Sequence, residues 1–200
     1  MTNNIELELR AEVSLNHFEE LITQLNQKSK IVSQTKRLSA MFLGKINKSN
    51  FDMRVRIDSN GKSEFVVKKG DFHVHNRIEI SQEISKSQFI GMVKILSLLK
   101  FRSKITEREN FIYNLGNNIE LVLVKAGSIA YIEIEKMSNV KNIKDNKLEL
   151  LSIIKSLNLK LIKNDKEFNK LCNRLTKHSD WIFNGSKAHI EKLESLLASY

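Results

Sequence analysis

The sequence has no proline and only one cysteine, Cys172. A single cysteine cannot form a disulfide within the chain, so a hydrophobic core must hold the fold together. The first ten residues, MTNNIELELR, have neither the basic leader nor the apolar segment of a signal peptide. We therefore expect a reducing, cytoplasmic setting.

Long apolar runs are also missing, and none approaches the roughly 20 residues that a transmembrane helix needs. We expect no membrane-spanning segment and no membrane partner. With 41% apolar and 28% charged residues in 200, the composition is typical of one globular domain.

Charge is abundant and unbalanced. The 33 Lys and Arg residues outnumber the 23 Asp and Glu residues and give a net charge of +10. This excess predicts an anionic partner, although charge alone does not say which anion.

Alternating apolar and charged residues predict strands in several segments. Residues 5–13 alternate in this way, and residues 53–57 and 65–68 form a hairpin around the turn at 59–61. Further strands are predicted at 76–83, 104–115, 119–124 and 130–137. Helical spacing predicts helices at 16–27, 87–99, 147–157, 165–176 and 186–197, with Asn16 and Asn164 as the capping residues of the first and fourth.

The polar faces of these strands carry charges of both signs. Glu6 with Glu8, and Glu133 with Glu135, place like charges two residues apart, where they repel unless something positive lies between them. Mg²⁺ and Mn²⁺ prefer oxygen ligands such as carboxylates. These pairs therefore predict a divalent metal site.

Basic residues on the same kind of strand face supply the complementary chemistry, since guanidinium groups bind phosphate oxygens in pairs. The candidates are Arg10, Arg54, Arg56, Lys68, Arg77 and Arg108. A closed sheet lets such charged rows point into a lumen without disrupting the core. We predict an α+β fold: an antiparallel β-barrel covered by helices.

At this point the residues resemble a known family, the CYTH domain or triphosphate tunnel metalloenzyme superfamily. Its motifs occur in order along the chain. E-x-E-x-K is matched by Glu6, Glu8 and Arg10, R-x-R by Arg54 and Arg56, a strand ending in Lys by Lys68, R-x-E by Arg77 and Glu79, and a late E-x-E by Glu133 and Glu135.

The resemblance implies a tunnel of eight antiparallel strands within residues 1–140, with residues 141–200 forming C-terminal helices in the same domain. Glu6, Glu8, Glu133 and Glu135 become metal ligands or activators of the attacking water, and Glu79 is a further metal ligand. Arg10, Arg54, Arg56, Lys68, Arg77 and Arg108 become phosphate-binding residues. The expected cofactor is Mg²⁺ or Mn²⁺, and the expected partner is a small-molecule triphosphate bound by a monomer or homodimer.

Three departures from the family pattern keep alternatives open. The K-x-R motif becomes Thr106-Glu107-Arg108, with Lys104 as the nearest substitute for its lysine. The acidic residue expected before the last strand is replaced by the apolar stretch 121–123, and residues 34–44 contain no acidic residue.

Metal-dependent hydrolysis of a triphosphate is the function we predict. The alternatives are an adenylyl cyclase of the class IV type, an RNA 5′-triphosphatase, and a degenerate tunnel that only binds polyphosphate or nucleic acid.

Overall fold

Ten β-strands and five α-helices form the part of the chain that the structure, a computed structural model, describes: residues 5–70, 78–139 and 142–200, without the side chains of residues 5, 6 and 30. The strands are β1 (Ile5–Val13), β2 (Lys30–Ile46), β3 (Ser49–Asp58), β4 (Ser63–Lys69), β5 (Ile78–Ile84), β6 (Arg102–Asn114), β7 (Ile119–Ala126), β8 (Ile129–Ser138), β9 (Lys160–Leu161) and β10 (Trp181–Phe183). The helices are α1 (Leu15–Lys28), α2 (Phe89–Ser97), α3 (Ile143–Ser156), α4 (Asp165–His178) and α5 (Lys187–Leu197). The α+β class is as predicted.

The strands form an antiparallel sheet in the order β5-β4-β3-β2-β6-β7-β8-β1-β9, and β10 pairs with β6. β1 to β8 are the long strands, whereas β9 and β10 have two and three residues. Among the described strands, the order ends at β5 and β9 without a hydrogen-bonded pair that joins them. Closure of the sheet into a barrel therefore stays a prediction.

The chain divides into two compact units. The first unit contains residues 1–34 and 109–178, and the second contains residues 35–108 and 179–200. The predicted boundary at residue 140 stays a prediction. No helix in the described ranges is long and apolar enough to cross a bilayer.

In the first unit, α1 and α3 cover one face of the sheet. The core between them contains Leu7, Ala11, Phe18, Leu21, Leu25, Leu121, Leu123, Ile132, Ile134, Leu150 and Ile154. Ser14, rather than the predicted Asn16, caps α1, because its Oγ accepts a hydrogen bond from the His17 N–H at 3.3 Å.

α4 packs on the other face of the first unit's sheet. Its Leu171 and Leu175 contact Ala126 and Ile129. Side chains alternate along a strand, so Ile129 shares its face with the charged residues of β8. α4 therefore packs on the sheet face that carries Glu133 and Glu135.

In the second unit, α2 and α5 cover the apolar face formed by β2, β3, β6 and β10. The core residues are Leu38, Ala40, Phe42, Met53, Val55, Ile57, Phe89, Val93, Leu96, Ile105, Phe183, Ile190, Leu193 and Leu197. The predicted hairpin is present, and the Asp58 carboxylate accepts hydrogen bonds from the Asn60 and Lys62 N–H groups in its turn. Ile78 and Ile80 of β5 are exposed rather than covered by a helix.

Candidate functional site

Three carboxylates from two neighbouring strands meet in the first unit. β1 and β8 pair with Glu8 opposite Glu135 and with Arg10 opposite Glu133. The intervening residues, such as Leu7 and Ile134, lie in the core. Alternation therefore places the charged side chains together on the opposite face.

The acidic cluster of Glu8, Glu133 and Glu135 is close-packed. One carboxylate oxygen from each residue lies within 4.8 Å of the other two, and all three residues are half-buried. Arg10 compensates part of this charge, since its Nε donates to Glu133 Oε1 at 3.0 Å and its Nη2 contacts Glu8. Three carboxylates against one guanidinium leave two negative charges.

Arg10 is a permanent cation at this site. Burial disfavours its charge, but the attraction of Glu133 and then of Glu8 outweighs burial and raises the pKa of Arg10 above its usual value. The guanidinium also lies over the ring of Phe168 on α4, with its carbon 4.8 Å from the ring centre. Contacts from β1, β8 and α4 therefore fix its position.

The acidic cluster fits a hard divalent cation. Carboxylate oxygens are the ligands that Mg²⁺ and Mn²⁺ prefer, and these ions usually take a few of them together with water. The three carboxylates and Arg10 together carry a net charge of −2, which matches one ion of charge +2.

Two further predicted metal ligands, Glu6 and Glu79, are not among the three carboxylates of the acidic cluster. Glu6 lies opposite Met137 in the register of β1 and β8, but its side chain lies outside the described part of the chain. Glu79 belongs to the second unit and forms an ion pair with Lys68, Nζ to Oε2, at 2.5 Å.

The predicted phosphate-binding residues of β3 and β4 share one face of the second unit's sheet, opposite the core residues Met53 and Val55. Each has a carboxylate partner. Arg54 binds Asp52 through two bonds, from Nε at 2.9 Å and from Nη2 at 2.6 Å. Arg56 Nε donates to Glu64 Oε1 at 2.7 Å.

A second group of basic residues on β6 surrounds a buried carboxylate. The Nζ of Lys104 lies 2.6 Å from Asp180 Oδ2, and the Nη2 of Arg108 lies 2.8 Å from Asp180 Oδ1. The side chain of Asp180 is completely buried, and those of Lys104 and Arg108 are 10% and 8% exposed. Lys104 and Arg108 therefore share one carboxylate partner, and the substitution of Lys104 for the family lysine stays a prediction.

The basic residues Arg54, Arg56, Lys68, Lys104 and Arg108 are together called the basic face. Their carboxylate partners are Asp52, Glu64, Glu79 and Asp180. Five cations against four carboxylates leave one positive charge. Arg77, also predicted to bind phosphate, lies outside the described residues.

Sequence reasoning missed three of these partners, Asp52, Glu64 and Asp180, and one neighbour of the acidic cluster, Glu120. Asp52 and Glu64 could have been found, since Asp52 shares a strand face with Arg54 and the hairpin turn places Glu64 opposite Arg56. Glu120 lies opposite Glu135 in the register of β7 and β8. Asp180 gives no local signal, since it is 76 residues from Lys104.

Comparison with family models found no match, and comparison with curated proteins found none either. Solved structures do match. The PH1819 protein of Pyrococcus horikoshii aligns with a TM-score of 0.64 at 16% identity over 84% of this chain and 99% of its own. A proposed adenylate cyclase of Vibrio parahaemolyticus aligns with a TM-score of 0.62 at 12% identity over 84% of this chain and 98% of its own.

A third match is a proposed adenylyl cyclase of Hippeastrum, named for a dominant triphosphatase activity. It aligns with a TM-score of 0.52 at 17% identity over 85% of this chain and 95% of its own. This chain has a CYTH-like fold. The CYTH-like fold is the one that the charged motifs predict, and at these identities the likeness concerns the fold alone.

Proposed function

We propose that this protein is a metal-dependent triphosphatase that hydrolyses a small linear triphosphate. The observation that carries the proposal is the acidic cluster, in which Glu8, Glu133 and Glu135 lie within 4.8 Å of one another beside Arg10. The CYTH-like fold and the activity named for the Hippeastrum protein support it.

Glu8, Glu133 and Glu135 would hold Mg²⁺ or Mn²⁺, with Glu6 and Glu79 as the further ligands that the family motifs suggest. Such an ion neutralises charge on phosphate oxygens and lowers the pKa of bound water. Arg10 limits the repulsion among the carboxylates before the ion binds, because it contacts both Glu8 and Glu133.

The basic face, with Arg10 and Arg77, would bind the phosphates. Phosphoryl transfer needs little covalent chemistry from a protein, so positioning and charge stabilisation provide most of the rate enhancement. Asp52 and Glu64 hold Arg54 and Arg56 in defined orientations before substrate binds. Hydrolysis then breaks one phosphoanhydride P–O bond and forms a new P–O bond to water, which yields orthophosphate and the shortened chain.

The test is phosphate release from tripolyphosphate with Mg²⁺ or Mn²⁺, for the native protein and for Glu133→Gln. We expect the variant to lose at least 99% of the activity, about a hundredfold, while keeping its circular dichroism spectrum. The matched control is Glu12→Gln, because Glu12 lies on the same strand face but pairs with Arg174 at 2.7 Å. Full activity in Glu133→Gln would refute the assignment.

Product analysis separates the related activities. A panel of tripolyphosphate, ATP, thiamine triphosphate and 5′-triphosphorylated RNA covers the substrates that the tunnel family suggests. Orthophosphate indicates a hydrolase, whereas pyrophosphate with a cyclic nucleotide indicates a cyclase. Binding without any product would identify a degenerate tunnel, and the proposed hydrolysis would then be wrong.

A further inference from the structure

The C-terminal segment contributes a carboxylate to the basic face. β10 pairs antiparallel with β6, with Trp181 opposite Ile105 and Phe183 opposite Ser103. Asp180 directly precedes β10 and reaches both Lys104 and Arg108, at 2.6 and 2.8 Å. Arg108 has a second contact, because its Nη1 donates a hydrogen bond to the Glu107 carbonyl at 2.9 Å.

The backbone that follows Asp180 is fixed. The Ser103 hydroxyl donates to the Phe183 carbonyl at 2.8 Å, and the Phe183 ring is 2% exposed in the second unit's core. A carboxylate on such a rigid element cannot move with the cations, so it determines where they lie.

The charges leave room for an anion. Two cations face one carboxylate, so these three side chains together carry a net charge of +1. A guanidinium has five N–H donors and can therefore bind Asp180 and Glu107 while it also donates to a phosphate oxygen. Asp180 itself is completely buried and cannot touch a bound phosphate.

We infer that Asp180 is a positioning residue: it holds Lys104 and Arg108 in the orientation in which they bind a phosphate group. The inference rests on the proposed function, because it takes Arg108 as a phosphate ligand. It also gives the C-terminal segment a role in substrate binding. Arg54 and Arg56 are oriented by carboxylates of their own hairpin, whereas Lys104 and Arg108 depend on residues 179–183.

The experiment compares Asp180→Asn with Ser103→Ala. Asparagine has the shape of aspartate but lacks the charge that attracts both cations. Ser103→Ala removes the hydrogen bond to Phe183 and so loosens the same segment without touching the cation pair. Tripolyphosphate binding is measured by calorimetry with EDTA present, and KM and kcat are measured with Mn²⁺.

We expect Asp180→Asn to weaken tripolyphosphate binding and to raise KM about tenfold, with kcat changed less than about threefold. Ser103→Ala lowers thermal stability but raises KM less than about twofold, because the β10–β6 pairing and the buried Phe183 still hold the segment. An equal rise of KM in both variants would show that Asp180 only anchors the segment, and tighter binding in Asp180→Asn would show that its carboxylate competes with phosphate. Either result overturns the inference.

A double-mutant cycle covers the case in which Asp180→Asn does not fold. Arg108→Lys keeps the charge but loses the guanidinium fork, and we expect it to weaken binding on its own. Lys104→Gln should then weaken tripolyphosphate binding less in the Arg108→Lys background than in the native protein, because Asp180 orients the two cations as one group. Fully additive losses would overturn the inference.

The outcomes also separate this inference from the proposed function. If the native protein binds tripolyphosphate in an Asp180-dependent way but releases no phosphate, the triphosphatase is wrong and the positioning role stands. If hydrolysis occurs and Asp180→Asn behaves as the native protein does, only the positioning role is wrong. If the native protein does not bind tripolyphosphate, both are wrong.

Discussion

Arg10 donates from Nε to Glu133 across the β1–β8 pair, at 3.0 Å. The same guanidinium contacts Glu8, so it touches two of the three carboxylates that would hold a metal ion. A divalent cation at the acidic cluster would therefore compete with Arg10 for these two carboxylates. The charge of Arg10 does not change with pH in the accessible range, so this competition is permanent.

Replacing Arg10 should strengthen metal binding. Arg10→Gln raises the charge of the acidic cluster from two to three negative units, and we expect Mn²⁺ to bind about tenfold more tightly. Calorimetric titration of the apo protein with Mn²⁺ measures this. Arg174→Gln is the control. It removes the same charge from the same unit, but Arg174 pairs with Glu12, which is not part of the acidic cluster. Unchanged or weaker Mn²⁺ binding in Arg10→Gln alone would contradict the prediction.

Asp52 should be important for stability as well as for the orientation of Arg54. Its side chain is completely buried and receives two hydrogen bonds from the guanidinium. Asp52→Asn removes the negative charge from this buried ion pair, and we expect a loss of about 3 kcal/mol in the free energy of unfolding, measured by urea denaturation.

The control for Asp52 is an ion pair in solvent. Glu191 and Lys187 on α5 lie 3.9 Å apart with side chains 60% and 92% exposed. Glu191→Gln should cost less than about 0.5 kcal/mol. Equal losses of unfolding free energy in Asp52→Asn and Glu191→Gln would show that burial does not make the Asp52 ion pair more important for stability.

The loss of stability on acidification should depend on Lys136. Hydrogen bonds from Lys136 and Asn117 lower the pKa of Glu149 below its ordinary value. The folded state therefore holds this proton less tightly than the unfolded state. The resulting stabilisation is present above the ordinary glutamate pKa of about 4.3 and is lost as the pH falls through the lower folded-state pKa.

Lys136→Met removes the main cause of that shift. We expect the urea midpoints of the native protein and the variant to differ at neutral pH and to converge as the pH falls below about 4. Parallel midpoints from pH 7 to pH 2 would show that the ion pair does not set the acid dependence.

The sequence predicts those strands whose two faces differ in polarity. In β1 every second residue from Glu6 to Glu12 is charged and the intervening residues are apolar, and in β8 Glu133 and Glu135 alternate with Ile132 and Ile134, so both the strands and their functional face can be identified. β2 gives no such signal. Leu38, Ala40 and Phe42 point into the core, but Met41 and Leu43 on the other face are apolar too, so the alternation disappears.

Contacts between distant segments are beyond such patterns. β9 and β10 have two and three residues, too few for any periodicity, and they form only because β1 and β6 offer them an edge. The placement of Phe168 over Arg10 and of Asp180 beside Arg108 depends on the same docking. The two E-x-E motifs, in contrast, could be brought together, because an antiparallel pair of charged strands has few registers that keep both apolar faces in the core.

Two glycines of the second unit test how tightly β2 is packed. A Cβ at Gly44 of β2 would lie 2.5 Å from the ring of Phe101, whereas a Cβ at Gly91 of α2 would meet nothing within 4 Å. Gly44→Ala should therefore lower the free energy of unfolding by about 1–3 kcal/mol, because the ring must move. Gly91→Ala should raise it by about 0.5–1 kcal/mol, since alanine favours the helix and restricts the unfolded chain. Urea denaturation of both variants decides the matter: a Gly44→Ala protein as stable as the native one would mean that Phe101 can leave β2 without cost, and that the packing of this strand does not depend on glycine.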